Sequence, residues 1–271
     1  MDTWRFIDTG YNRAAYNMAI DEAIAAAVRT HDAPPTLRLY GWNVPSVSIG
    51  YFQNIRDINL DYCREKHIPV VRRISGGRAV LHTASEITYS FSIRTDQGIF
   101  SNGLLESYRK ISSALSLALT NIGLLPEIKN VRGNNNSPNV YEMYRSPVCF
   151  QSASFGEIHI SGHKVIGSAQ KRWTDCLLQH GAVPLIIDRE ALVNIFRLKQ
   201  NNEYLYQGLH GINPGLKPDE IKHAFRNAFQ EVFAVCFTDS SLLCHELSAA
   251  EEFENTKYTS SSWTFRIQAG G

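Results

Sequence analysis

The sequence predicts a mixed α+β domain with a small helical piece packed against it at the C-terminal end. Three observations predict it. Alanine-rich apolar residues recur at helical spacing near the start. Short alternating runs bounded by Gly and Pro fill the middle. A helical stripe takes over after Gly215.

Over residues 12–30, Tyr16, Ala19, Ile20, Ala23, Ile24 and Ala27 share one helical side, and the helix must stop before the prolines at 34 and 35. β-type runs follow at 37–40, 46–49, 69–72 and 87–93, the last with clear alternation. A second amphipathic helix is expected over 104–122, carrying Leu104, Tyr108, Ile111, Leu115 and Leu119 on one side. Residues 130–139 read as a polar loop. Strands are expected at 155–160, from about 165 after a Ser161-Gly162 turn, and at 182–187. Pro218 marks the first turn of a helix whose stripe is Ile221, Phe225, Phe229 and Val232. A last polar helix leads to Lys257, Tyr258 and Trp263. No internal repeat or long low-complexity linker is visible in the 271 residues.

A hydrophobic fraction of 44% supports a sizeable core, and a net charge of +1 gives no global field to recruit nucleic acid or an anionic membrane. No secretory leader is expected from the opening residues, and no apolar run has the length of a membrane span. The five cysteines are odd in number and match neither a disulfide framework nor a zinc site, so reduced thiols in the cytoplasm are expected. A monomer is the default expectation.

Two stretches carry chemistry. In residues 72–82, RRISGGRAVLH, the adjacent Gly76 and Gly77 let backbone N–H groups approach a ligand, and the flanking arginines supply donors for oxygens. An ordinary hairpin would look the same, and the Gly-Lys-Ser/Thr ending of a phosphate loop is missing. In residues 149–181, Cys149 precedes a strand, Lys164 follows a small-residue turn, and Gly167, Ser168 and Ala169 leave room for a ligand against the backbone. A thiolate attacks thioesters and is stabilised by a nearby cation, for which Lys164 is the local candidate. The competing readings are a buried, inert Cys149 and a solvent-facing Lys164. His159, His163 and His180 lie close in sequence but match no zinc spacing, and Cys176 reads as core.

Taken in order, these motifs resemble the lipoate–protein ligase, octanoyltransferase and biotin–protein ligase superfamily. Residues 72–82 are similar to its ligand-binding signature, 162–170 (GHKVIGSAQ) to its lysine segment, 178–181 (LQHG) to the strand that follows, and Lys257-Tyr258 with Trp263 to the end of its catalytic unit. Cys149-Phe150 and Arg78 in place of a third glycine most resemble the cysteine-dependent octanoyltransferases of bacilli. Gln151, Ala153 and His163 depart from the residues common there.

The resemblance implies a biotin/lipoate ligase-type catalytic domain of mixed sheets flanked by helices over 31–248. Residues 1–30 would form an N-terminal helical segment of that unit and 249–271 a C-terminal extension. It implies that Cys149 takes an octanoyl group from octanoyl-acyl carrier protein. The group then passes to the target lysine of an apo lipoyl domain, such as the glycine-cleavage H protein. Neither cofactor nor metal is needed. Lys164 would orient the acyl carbonyl. Arg73, Ser75, Gly76, Gly77, Arg78, His82, Gly167, Ser168, Ala169 and His180 would bind substrate, with His82 and His180 at the mouth of a tunnel for the eight-carbon chain or aiding proton transfer. Three alternatives are an amidotransferase between lipoyl domains, an ATP-dependent lipoate ligase with an incidental Cys149, and a non-catalytic binder.

Overall fold

The computed structural model describes residues 1–98, 100, 103–130, 155–198 and 207–266. Cys149, Phe150, Gln151 and Ala153 lie outside the described residues, as does the expected polar loop beyond Asn130.

The first element is a strand, β1 (Asp2–Asn12), which the alternation rule does not reveal. It is buried on both sides, with Trp4 in one core and Ile7 in another, so apolar and polar residues do not alternate along it. Arg5 between them is buried too, its guanidinium on Glu246 and Thr36. Helix α1 (Ala14–Arg29) follows and buries most of its length, as expected of an alanine-rich helix. Then come β2 (Thr36–Trp42), β3 (Ser46–Ile49), a short helix α2 (Leu60–Glu65), β4 (Val70–Arg72), β5 (Val80–His82) and β6 (Glu86–Arg94).

The amphipathic helix α3 (Leu104–Asn121) precedes β7 (Glu127–Asn130), β8 (Phe155–Ile160), β9 (His163–Arg172) and β10 (Cys176–Pro184). The last of these is one strand from Cys176 onward and ends at Pro184, rather than the separate run expected over 182–187. Proline ends the ladder because it has no N–H to donate. Helix α4 (Arg189–Phe196), helix α5 (Pro218–Phe233), β11 (Val235–Asp239), helix α6 (Cys244–Phe253), a π-turn at Glu254–Tyr258 and a short helix α7 (Ser261–Thr264) complete the described chain.

Eight strands form one mixed sheet in the order β11-β1-β2-β6-β10-β9-β8-β7, and β4-β3-β5 form a second. In β6, Ile87, Tyr89, Phe91 and Ile93 face the core under α3 and α5. The alternate residues Thr88, Ser90 and Ser92 are also buried, on the other face. That face is shared by α1, whose Ile20 and Ile24 pack with Tyr40, Trp42 and Leu178, and by the small sheet. A buried row of small polar residues is where a ligand site is to be sought: Thr88 donates to Glu86, while the buried Ser92 hydroxyl has no partner among the described residues.

The C-terminal end is stitched onto this face. Arg72 donates to the carbonyls of Trp263 and Thr264, both at 3.2 Å, and Trp263 returns its indole N–H to Arg72 O at 2.8 Å. Burial first, then the neighbouring charges of Arg266 and Arg73, pull the Arg72 guanidinium down to about 10. Lys257 and Tyr258 both reach Glu22 on α1.

Candidate active site

The site grows from Arg73, which enters the protein at the end of β4. Its Nη1 donates to Ser48 O at 3.0 Å and Ser48 Oγ at 3.2 Å, its Nε to Ser75 Oγ at 3.1 Å, and its Nη2 to the carbonyls of Gly76 and Arg78, both at 2.7 Å. A guanidinium only donates, so each serine oxygen accepts from Arg73 and turns its own proton to a histidine. Ser48 Oγ meets His82 Nε2 at 2.7 Å, and Ser75 Oγ meets His180 Nε2 at 2.6 Å. In the tautomers this network assigns, each imidazole carries its proton on Nδ1 and gives it to a carboxylate. His82 donates to Glu86 at 2.7 Å, and His180 to Asp21 at 3.0 Å.

Two serine–histidine–carboxylate chains therefore meet at one arginine. Asp21 also accepts from Arg38 at 2.6 Å and Tyr40 at 2.9 Å. Burial pushes the Asp21 carboxyl upward, but the charge of Arg38 and the bond from His180 outweigh it and hold the group below its ordinary value. Burial also dominates at His180, holding it below the ordinary imidazole value against the pull of Asp21. Glu86 is shared with Thr88 at 2.6 Å, Thr88 accepts from Trp42 at 2.8 Å, and Trp42 stacks on His82 with ring centres 3.8 Å apart.

These residues wall a narrow slot of about 30 Å³. Of the residues expected to bind substrate, Arg73, His82, Gly167, Ser168, Ala169 and His180 line it. Ser75 is fully buried behind His180. Gly76 and Arg78 contribute carbonyls to Arg73, and Gly77 turns the loop at φ +85°. A Cβ on Gly77 would stand 3.6 Å from the Ala169 methyl, so this turn closes over the strand that carries the slot. Gly50 seats the turn from beneath: a Cβ there would fall 2.0 Å from Gly77 O.

Lys164 is placed by an irregularity in β9. Ile158 pairs with Ile166, but His159 pairs with Lys164, so Val165 is an extra residue in the ladder. Val165 and Ile166 both sit in the core under α3. Lys164 accordingly shares its face with Glu157 and His159 instead of following Ile166 inward. The hairpin that precedes it turns through Ser161 and Gly162, with φ of 50° and 83°, as a two-residue turn between twisted strands requires. Lys164 is 2% exposed, which excludes a solvent-facing turn lysine. Its Nζ lies 2.6 Å from Glu157 Oε1.

Met18, Tyr40, Trp42, Ser48, Thr88, Asp21 and Glu86 belong to the slot or its support, and Glu157 pairs with Lys164; none is singled out by the sequence motifs. Two of them carry a readable signal: Asp21 is an acid on the buried side of an apolar helix, and Arg38 is a base inside an apolar strand. Buried charges of that kind need partners. Among the described residues no cluster of His, Cys, Asp and Glu is arranged to hold a metal ion, and no helix is long and apolar enough to cross a membrane.

A narrow slot whose polar wall atoms turn toward one another is the candidate active site of an enzyme domain; Lys164, though buried, is not among the residues that line it. The family described as lipoyl protein ligase A/B catalytic domain matches residues 13–229, and the chain belongs to it. The chain is 37% identical over 279 residues to Octanoyltransferase LipM of Carboxydothermus hydrogenoformans, covering 98% of this chain and 100% of the relative. It is 33% identical over 281 residues to Octanoyltransferase LipM of Bacillus subtilis, covering 98% and 99%. Among solved structures, lipoate-protein ligase A bound with ATP superposes with a TM-score of 0.80 at 23% identity, covering 98% and 99%. The bipartite lipoate protein ligase of Thermoplasma acidophilum gives 0.78 at 22%, covering all of both chains. These two likenesses establish the fold, a mixed sheet flanked by helices as the sequence motifs imply.

Proposed function

We propose that this protein is an octanoyltransferase that moves an octanoyl group from a thioester donor to the target lysine of a lipoyl domain. The observation that carries this reading is the full-length likeness to Octanoyltransferase LipM, a likeness the chain pairs with a narrow apolar slot and a buried Lys164. Burying the tail of an eight-carbon chain against apolar walls is worth about 5 kcal/mol, at about 0.8 kcal/mol per methylene. The wall suits this occupant because Arg73, Ser48, Ser75, His82 and His180 spend their polar atoms on each other.

The nucleophile in this reading is Cys149. Among the described cysteines, burial pushes Cys63 up to about 11 and Cys176 up to about 12, which makes both poor nucleophiles. The Cys149 thiolate adds to the donor's thioester carbonyl. The tetrahedral oxyanion collapses, expels the donor thiolate and leaves an octanoyl thioester on Cys149. The uncharged amine of the acceptor lysine then attacks that thioester; the proton it loses passes to the departing sulfur, so Cys149 leaves as its thiol and the octanoyl group becomes an amide. Lys164 is the cation for the oxyanion in both steps. Exchange between thioesters is nearly neutral and thioester to amide is downhill, so the sequence of steps runs without ATP.

The donor we propose is octanoyl-acyl carrier protein. The test is octanoylation of an apo lipoyl domain by the purified protein, with that donor and no nucleotide. Octanoylated domain supports the reading. Transfer only from free octanoate with ATP would make the protein a ligase, and transfer only from an octanoylated lipoyl domain would make it an amidotransferase.

A further inference from the structure

Lys164 and Glu157 form an ion pair that the fold itself does little to require. Their side chains are 3% and 7% exposed, with Nζ 2.6 Å from Oε1. Taking two charges out of water costs about as much as their attraction returns, and apolar replacements of such pairs are often as stable. The pair sits on the face of β8 and β9 opposite to Ile158 and Ile160, which lie in the core under α3. Strand geometry makes the contact possible: Lys164 pairs with His159, and Glu157 is the next residue of β8 on the same face, a diagonal neighbour that two long side chains can bridge. The extra residue Val165 is what turns Lys164 to that face.

We propose that Glu157 is a positioning residue that anchors the Lys164 ammonium where the acyl carbonyl is to be polarised, an inference that rests on Lys164 being the cation of the transfer. A lysine ammonium is a point charge on four rotatable bonds, and it stabilises an oxyanion well only when its position is fixed beforehand. Glu157 fixes it from a strand backbone. Its second carboxylate oxygen lies 3.4 Å from His159 Nε2, so its own rotamer has a neighbour as well. Anchored in this way, the ammonium would meet an acyl carbonyl oxygen with its position already set.

The test is single-turnover acylation of the protein by octanoyl-acyl carrier protein, followed by intact mass over a range of donor concentrations. Five proteins are compared: wild type, Glu157→Gln, Glu157→Asp, Lys164→Gln and the Glu157→Gln/Lys164→Gln double variant. Loss of one charge-assisted hydrogen bond corresponds to about a 10- to 100-fold fall in the maximal acylation rate of Glu157→Gln. The half-saturating donor concentration is expected to stay near that of wild type. In the Lys164→Gln background, Glu157→Gln is expected to cost nothing further, because its effect passes through the lysine. Glu157→Asp keeps the charge and should recover part of the rate; it also stands in if the glutamine variant fails to fold. Full rate in Glu157→Gln, or a loss that recurs undiminished in the Lys164→Gln background, would overturn the inference. Wild-type rate in Lys164→Gln alone would instead overturn the role assigned to the lysine.

Discussion

His180 Nδ1 lies 3.0 Å from Asp21 Oδ2, tying a strand residue to a helix residue 159 positions earlier. Asp21 also holds Arg38 and Tyr40, so one carboxylate anchors helix α1, strand β2 and strand β10 behind the slot. The slot's shape thus depends on a residue that does not line it.

Replacing that carboxylate should be costly. In Asp21→Asn the Arg38 guanidinium, fully buried, loses its counter-charge. Breaking a buried pair from one side typically costs about 3–5 kcal/mol. Urea unfolding is expected to show a loss of that size. A loss under about 1 kcal/mol, as for a surface ion pair, would show that the network does not anchor the fold.

Acid should weaken the protein through the same contact. Burial holds His180 below the ordinary imidazole value, so the unfolded chain takes up this proton before the folded one as pH falls. The contribution is whole above the unfolded value of about 6.5 and is lost as pH falls from there toward the folded value. Asp21, also held low, adds a second loss only below the usual carboxylate range. Urea midpoints are therefore expected to be level from about pH 8 to 7 and to fall below about 6.5, less steeply in His180→Asn. A midpoint that rises on acidification would reverse the sign and refute the burial argument.

The glycine loop gives a prediction about packing. A methyl on Gly50 would stand 2.0 Å from Gly77 O, which is backbone and cannot swing aside. Gly50→Ala must displace the Ser75–Arg78 turn that caps Arg73. Overpacking of this kind costs about 1–3 kcal/mol, and octanoyl acylation should fall with it. Gly76→Ala is the control, since a Cβ there meets nothing within 4 Å. Equal behaviour of the two variants would contradict the close approach.

Much of this was legible in the sequence, for definite physical reasons. Helix α1 and the α5 stripe of Ile221, Phe225 and Phe229 follow from period and composition. Small residues at Gly167, Ser168 and Ala169 mark a wall that a ligand can approach. Strand β1 was not legible, because its pairing partners β2 and β11 lie far along the chain and both its faces are buried. Nor was the side on which Lys164 stands. By alternation it shares a face with Ile166, and only the extra residue in the ladder separates them. Ser48 and Thr88 look like ordinary strand residues until Arg73 and Trp42 are seen to claim their oxygens.

The slot predicts a dependence on chain length. Ala169 lines it with a single methyl. Ala169→Leu fills part of the space, so acylation by an octanoyl donor should fall while a butanoyl donor is affected less. Each methylene denied burial costs about 0.8 kcal/mol, or roughly fourfold. An equal loss for both donors would show that Ala169 does not face the chain.

The proposed transfer passes the octanoyl group through a thioester on Cys149. The decisive measurement is intact mass of the wild-type protein and of Cys149→Ser after mixing each with octanoyl-acyl carrier protein in the absence of ATP. One hydroxylamine-labile octanoyl adduct is expected on the wild type, discharged by an apo lipoyl domain, and none on the variant. An adduct of equal yield on Cys149→Ser, or transfer to the lipoyl domain by that variant at the wild-type rate, would contradict it.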